Sequence, residues 1–108
     1  MTSRWRILEA AQRETEAAVD WYERHRRGLG LELLDARDRC LELAAERPES
    51  DALVDLGNST RVLRRYRLDR FPYAVVVGMD DASPVILAFM HLRRRPDYWH
   101  RRLSLLPR

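Results

Sequence analysis

The sequence predicts an α+β domain in the order β-α-α-β-β-β with a short terminal helix, an antiparallel sheet carrying an N-terminal helical hairpin on one face. Three observations predict it. Apolar residues recur at three-, four- and seven-residue spacing over residues 10–45, the period of helices. Residues 61–92 instead hold three apolar or alternating runs separated by turn residues, the signature of consecutive strands. A length of 108 residues without repeat or low-complexity linker gives a single domain with one core, residues 1–108.

The first segment, Arg4 to Leu8, alternates Trp5 and Ile7 with Arg4, Arg6 and Leu8 and reads as a short strand. From Glu9 to about Arg26, Ala10, Ala17 and Trp21 together with Ala11, Ala18 and Tyr22 line one helix face, so Trp21 and Tyr22 read as packing residues. Glu9, Arg13, Glu16, Asp20 and Glu23 form the solvated face, and His25 falls at the helix end. Gly28 and Gly30 punctuate the chain before a second helix, Leu31 to Glu46, which Pro48 ends. So short a connection folds the helices back as an antiparallel hairpin. Residues 49–59 read as a loop.

Arg61 to Arg67 alternates in the manner of a half-exposed strand with Arg on both faces. A turn at Asp69 and Arg70 leads to Pro72–Met79, whose valine run suits a central strand, and Val85–Leu92 is the most apolar strand. These three form an antiparallel meander. Pro96 opens a short helix through Tyr98, Trp99 and Leu103. The pattern does not secure burial of the sheet's other face.

Composition narrows the function classes. With 45% apolar and 34% charged residues the chain is globular rather than disordered. The single Cys40 excludes an internal disulfide framework and a multi-cysteine zinc site, and points to a reducing, cytoplasmic setting. The N-terminus lacks the apolar stretch of a signal peptide, and Tyr73–Val77 and Val85–Met90 are far too short to span a bilayer, so no membrane partner is expected. Residues 1–59 hold nine Arg against thirteen Asp and Glu, whereas residues 60–108 hold eleven Arg against four Asp, a basic half of net +7. All twenty basic residues are Arg, which supplies cationic clamps but no lysine for general-base chemistry.

The candidate site is the end of the last strand together with the adjoining tail, residues 91–102. Strand alternation would place His91 and Arg93 on one face, about 7 Å apart. Arg61, Arg64, Arg65 and Arg67 on a strand of the same sheet, with Arg94 and Arg95, would make a basic surface for a polyanion, and Tyr98 or Trp99 would be available to stack on a base. Against this, a histidine ending an apolar strand is more often structural than catalytic, and Tyr98 and Trp99 also suit packing of a short helix. His91 and His100 have no metal-ligand spacing, and the chain has neither a Gly-rich phosphate loop nor a Ser-His-Asp pattern, so no metal or cofactor is expected.

The runs DWYERHRRGLGLELL (Asp20 to Leu34), RVLRRYRLDRFPYAVVV (Arg61 to Val77) and VILAFMHLRRRPDYWHRR (Val85 to Arg102) resemble the RelE/ParE superfamily of small toxins from bacterial type II toxin–antitoxin modules. The likeness spans nearly the whole chain and is closest to the ParE-like branch, often labelled plasmid stabilisation proteins. Its most specific pieces are GLG between the helices, RFPY at the central strand and H-x-R-R-x-P-x-x-W at the end. The resemblance implies a β-α-α-β-β-β toxin held in a hetero-oligomer by a cognate antitoxin, whose acidic or amphipathic segment would dock as a helix in a groove or an added strand. ParE-like members inhibit DNA gyrase without catalysis of their own. RelE-like members are ribosome-dependent endoribonucleases on mRNA; on that alternative Arg93 would stabilise the phosphorane, Tyr98 or His91 would do acid–base work, and Arg61, Arg65 and Arg67 would hold the RNA. The lysines of many RelE enzymes have no counterpart in this chain. A third alternative is a degenerate, non-toxic interaction module.

Overall fold

A computed structural model of the chain describes residues 5–50, 63–80, 83–95 and 98–106, apart from the side chains of residues 50, 79 and 80. Arg61, most of the expected 49–59 loop, and Pro96 lie outside the described residues. The elements are β1 (Arg6–Ile7), α1 (Glu9–His25), α2 (Leu29–Glu46), a 3₁₀ turn at Pro48–Ser50, β2 (Arg64–Arg67), β3 (Tyr73–Asp80), β4 (Ser83–His91) and a 3₁₀ helix, His100–Leu105. The fold is α+β, with a four-stranded sheet in the order β1-β4-β3-β2.

β2, β3 and β4 form the expected antiparallel meander. The sheet as a whole is mixed rather than antiparallel, because Arg6 and Ile7 run parallel to Val85 and Ile86. Alternation in a two-residue strand carries no information about pairing direction. Direction is set by the chain's exit: Leu8 N–H donates to Ile86 O at 3.0 Å, and α1 starts at the next residue and packs along β4.

Glycine and one carboxylate build the turn between the helices. Gly28 has φ 89°, in the left-handed region where a side chain is strained. Glu23, near the end of α1, accepts hydrogen bonds from Gly28 N–H at 2.9 Å and Gly30 N–H at 3.0 Å, satisfying donors at the start of α2. Both bonds hold the Glu23 carboxyl below its ordinary range. A Cβ on Gly30 would sit 2.9 Å from Val19 Cγ1 and Val19 O, so close helix approach depends on that glycine.

The turn between β2 and β3 is tied to this hairpin. Arg70, left-handed at φ 69°, donates to Glu32 Oε1 at 2.7 Å, and Arg26 donates to Glu32 Oε2 at 2.9 Å. Phe71 is buried and meets Tyr22 edge-on at 5.2 Å. At the far end of α2, Tyr66 hydroxyl donates to Pro48 O at 2.6 Å.

Two apolar clusters lie on opposite faces of the sheet. Ala11, Ala18, Leu33, Leu41 and Ala44 of the helices pack on Val75, Val77, Ile86 and Phe89. The other face, for which the sequence pattern secures no cover, is buried: Leu63, Ala74, Val76, Val85, Leu87 and Met90 pack with Trp99 and Leu106 of the tail. In β4 the alternation slips once. Val77 pairs with Ile86 and Val76 with Ala88, leaving Leu87 as an extra, bulged residue. Leu87 and Ala88 accordingly both belong to the tail-side cluster.

Candidate functional site

The last strand ends at His91, which pairs with Tyr73 and meets its ring edge-on at 5.0 Å. The chain then turns: Leu92 N–H donates to Pro72 O at 2.9 Å, and Arg94 N–H to His91 O at 3.0 Å. Arg93 is therefore in a turn rather than beside His91 on one strand face, a correction to the alternation argument, which carried strand geometry past the end of β4 to Arg93. Arg93 N–H donates to His91 Nδ1 at 3.1 Å, so the neutral imidazole carries its proton on Nε2.

The Arg residues divide by their place on the sheet. Arg93, Arg94 and Arg95 are exposed. Arg67 is exposed at the end of β2 that shares this edge, opposite Ala74 and thence Met90, about 10 Å across two strand spacings. Arg64 and Arg65, half-buried, lie further down β2 opposite Val77 and Val76.

Tyr98 and Trp99 are anchors. Trp99 is 1% exposed against the tail-side face of the sheet, so it does not belong to the basic surface or offer a ring to a base. The Arg94 guanidinium covers the Tyr98 ring at 3.7 Å from its centroid, and that of Arg102 lies at 5.2 Å. Tyr98 hydroxyl is buried without a well-formed hydrogen bond. Burial first, and then the neighbouring Glu14 carboxylate, push its pKa well above that of an ordinary phenol. A phenol so held stays protonated at neutral pH and is a poor proton acceptor.

Glu14, which no sequence motif singles out, and Arg102, in sequence only one more cation of the tail, organise this end of the molecule. Arg102 Nη1 and Nη2 bond Glu14 Oε1 and Oε2 at 2.8 and 3.1 Å, with side chains 17% and 15% exposed. The pair then closes the edge of β4 beyond the reach of β1. Arg102 Nη1 donates to the carbonyl of bulged Leu87 at 2.9 Å, and Phe89 N–H donates to Glu14 Oε1 at 3.1 Å. Glu14 is three residues after Ala11 and four before Ala18, both buried, and a carboxylate on that stripe was the available signal.

Beside this pair, and sharing its Glu14, lies a largely aromatic groove of about 440 Å³ between α1 and the sheet, lined by Glu14, Ala17, Ala18, Trp21, Tyr22, Tyr73, Phe89, His91 and Arg94. Trp21 is not a packing residue as its helix face suggested: it is 48% exposed and stacks on His25 at 3.8 Å, while His25 Nδ1–H donates to Trp21 O at 2.7 Å. Ala17 is exposed too, so the Ala10-Ala17-Trp21 edge of the stripe runs along the rim while Ala11, Thr15 and Ala18 face the core. Tyr22 does pack, on Phe71 and Tyr73. Burial raises the pKa of both Tyr22 and Tyr73, keeping their hydroxyls as donors.

A second hollow, about 580 Å³, lies between α2 and β2 and is lined by residues of both charge signs, including Glu32, Asp35, Arg39, Arg67 and Arg70. Cys40 also lines it, its thiol directed at Arg67 O at 3.6 Å. Among the described residues no group of three His, Cys, Asp or Glu is placed to hold a metal ion, and no helix is long and apolar enough to cross a membrane. Comparison with models of known protein families, with curated proteins and with solved structures finds no match to this chain.

Proposed function

We propose that this chain is the toxin of a type II toxin–antitoxin module with a RelE/ParE-like fold, neutralised by a cognate antitoxin and acting on DNA gyrase. The observation that carries the reading is where the family-like motifs sit. GLG is the glycine turn of the helical hairpin, RFPY is the turn that Arg70 and Phe71 fasten to that hairpin, and the final motif holds His91 at the strand end and Trp99 in the second core. The net +7 of residues 60–108 suits an acidic antitoxin segment.

Gyrase is preferred over mRNA for a chemical reason. RNA cleavage by attack of a ribose 2′-OH needs a proton acceptor beside a cationic clamp. Tyr98 lies beneath the Arg94 guanidinium, the acceptor nitrogen of His91 is taken by Arg93 N–H, and the chain has no lysine. Inhibition of gyrase asks only for a binding surface.

The test is a supercoiling assay with purified gyrase and purified chain. Loss of supercoiling, restored by the antitoxin, is expected. Unchanged supercoiling together with cleavage of ribosome-bound mRNA would overturn the target in favour of the endoribonuclease, and inactivity in both assays would leave a non-toxic interaction module.

A further inference from the structure

We infer that the groove between α1 and the sheet end is a subsite for a nucleobase with its 5′-phosphate, the base stacked on the Trp21 ring, on the face that His25 leaves open, and the phosphate paired with Arg94. The inference is independent of the toxin reading. The groove's volume, about 440 Å³, falls within the roughly 300–1,000 Å³ of small-ligand sites. Ala17 leaves room between the helix and the aromatic walls where a larger side chain would fill it.

The lining chooses among ligands. An aliphatic guest would offer nothing to the polar groups of the lining, the Tyr22 and Tyr73 hydroxyls and the His91 Nε2–H. Glu14 also lines the groove, 3.7 Å from Arg94, but Arg102 holds it bidentately and balances its charge, so Arg94 leaves the site net cationic and suited to an anion rather than a cation. A planar base offers ring nitrogens and carbonyls to those donors and a face to the aromatics, which an apolar side chain from a protein partner does not. Arg94, 56% exposed and only distantly paired, supplies the anion partner. The same chemistry is presented by a free nucleotide and by one residue of a single strand.

Calorimetric titration of the full chain with adenosine 5′-monophosphate, adenosine, ribose 5-phosphate and a tetra-adenylate tests it. The monophosphate should bind at least roughly tenfold more tightly than either of its halves, because stacking and phosphate pairing each contribute. Trp21→Ala should weaken binding roughly tenfold, and Trp21 is exposed enough for the variant to fold. Arg94→Gln should remove the phosphate contribution, making the monophosphate no better than adenosine. Tighter, Trp21-dependent binding of the tetra-adenylate would identify a single strand as the source, and preference for the monophosphate a free nucleotide; both support the subsite. Absence of binding by either probe at millimolar concentration overturns it, as does binding unaffected by Trp21→Ala. Trp21-dependent binding of an acidic, phenylalanine-bearing peptide in place of the nucleotides would also overturn it, assigning the groove to a protein.

Discussion

The chain contains two adjacent aromatic pairs, Trp21-Tyr22 on α1 and Tyr98-Trp99 after β4, and the structure uses them in opposite ways. The helical pair falls on an apolar stripe, yet Trp21 stands at the rim of an open groove. The tail pair falls in an arginine-rich run, yet Trp99 is sealed in a core and Tyr98 is roofed by Arg94. A residue's chemical neighbours in sequence are therefore a poor guide to its exposure here. What decides is which element the chain lays over it: the tail crosses the sheet and buries Trp99, whereas Trp21 meets only neighbours on its own helix, His25 and Tyr22, among the ring contacts of the described residues and stays half open.

The largest effect expected from this contrast is on stability. Trp99→Ala should cost about 3–5 kcal/mol, the range for emptying a buried aromatic site, read as a lower urea midpoint. Trp21→Ala should cost about 1 kcal/mol or less in the same experiment, because half of the ring is already open and its ring contacts are with His25 and Tyr22 of its own helix. Equal losses would break the comparison. Next, Glu14→Ala should cost about 3 kcal/mol, because it leaves the half-buried Arg102 guanidinium and the Phe89 N–H without their acceptor. A double-mutant cycle with Arg102→Ala should show a favourable coupling of at least about 1 kcal/mol, since the two residues hold one edge of β4 together.

Smaller effects come from the helical hairpin. Gly30→Ala should cost about 1–3 kcal/mol, because its methyl group overlaps Val19. The acid limb of stability should carry a contribution from Glu23, whose pKa is lowered in the fold by the bonds from Gly28 and Gly30. A depressed folded pKa gives stability that is present above the unfolded carboxylate pKa of about 4.3 and is lost as pH falls through the lower folded value. Glu23→Gln should therefore flatten urea stability between pH 5 and pH 2, roughly, relative to the parent chain.

Much of the fold was legible because it rests on periodicity and punctuation. The α1 and α2 stripes, the Gly28–Gly30 turn, the Val75–Val77 central strand and the turn at Asp69–Arg70 each follow from local residue types. The parallel pairing of β1 was not legible, since Arg6 and Ile7 pair with residues nearly eighty positions away. Nor was the bulge at Leu87: uninterrupted apolar sequence from Val85 to Met90 shows no alternation from which a slip of phase can be read. The pairing of Glu14 with Arg102 went unseen for a related reason, because a charged residue reads as surface until its distant partner is known. Arg93, Arg94 and Arg95 are exposed at the strand end, while Arg94 turns to Tyr98 and the β2 arginines are spread along their strand, a placement that depends on the turn after His91 and not on the residue types alone.

The proposal of an antitoxin-controlled gyrase inhibitor is tested most directly by inducing the chain alone in bacterial cells and pulse-labelling DNA and protein synthesis in parallel. The account predicts that DNA synthesis falls first and that co-expression of the antitoxin restores it. Collapse of protein synthesis while DNA labelling continues, or undisturbed growth, would contradict it.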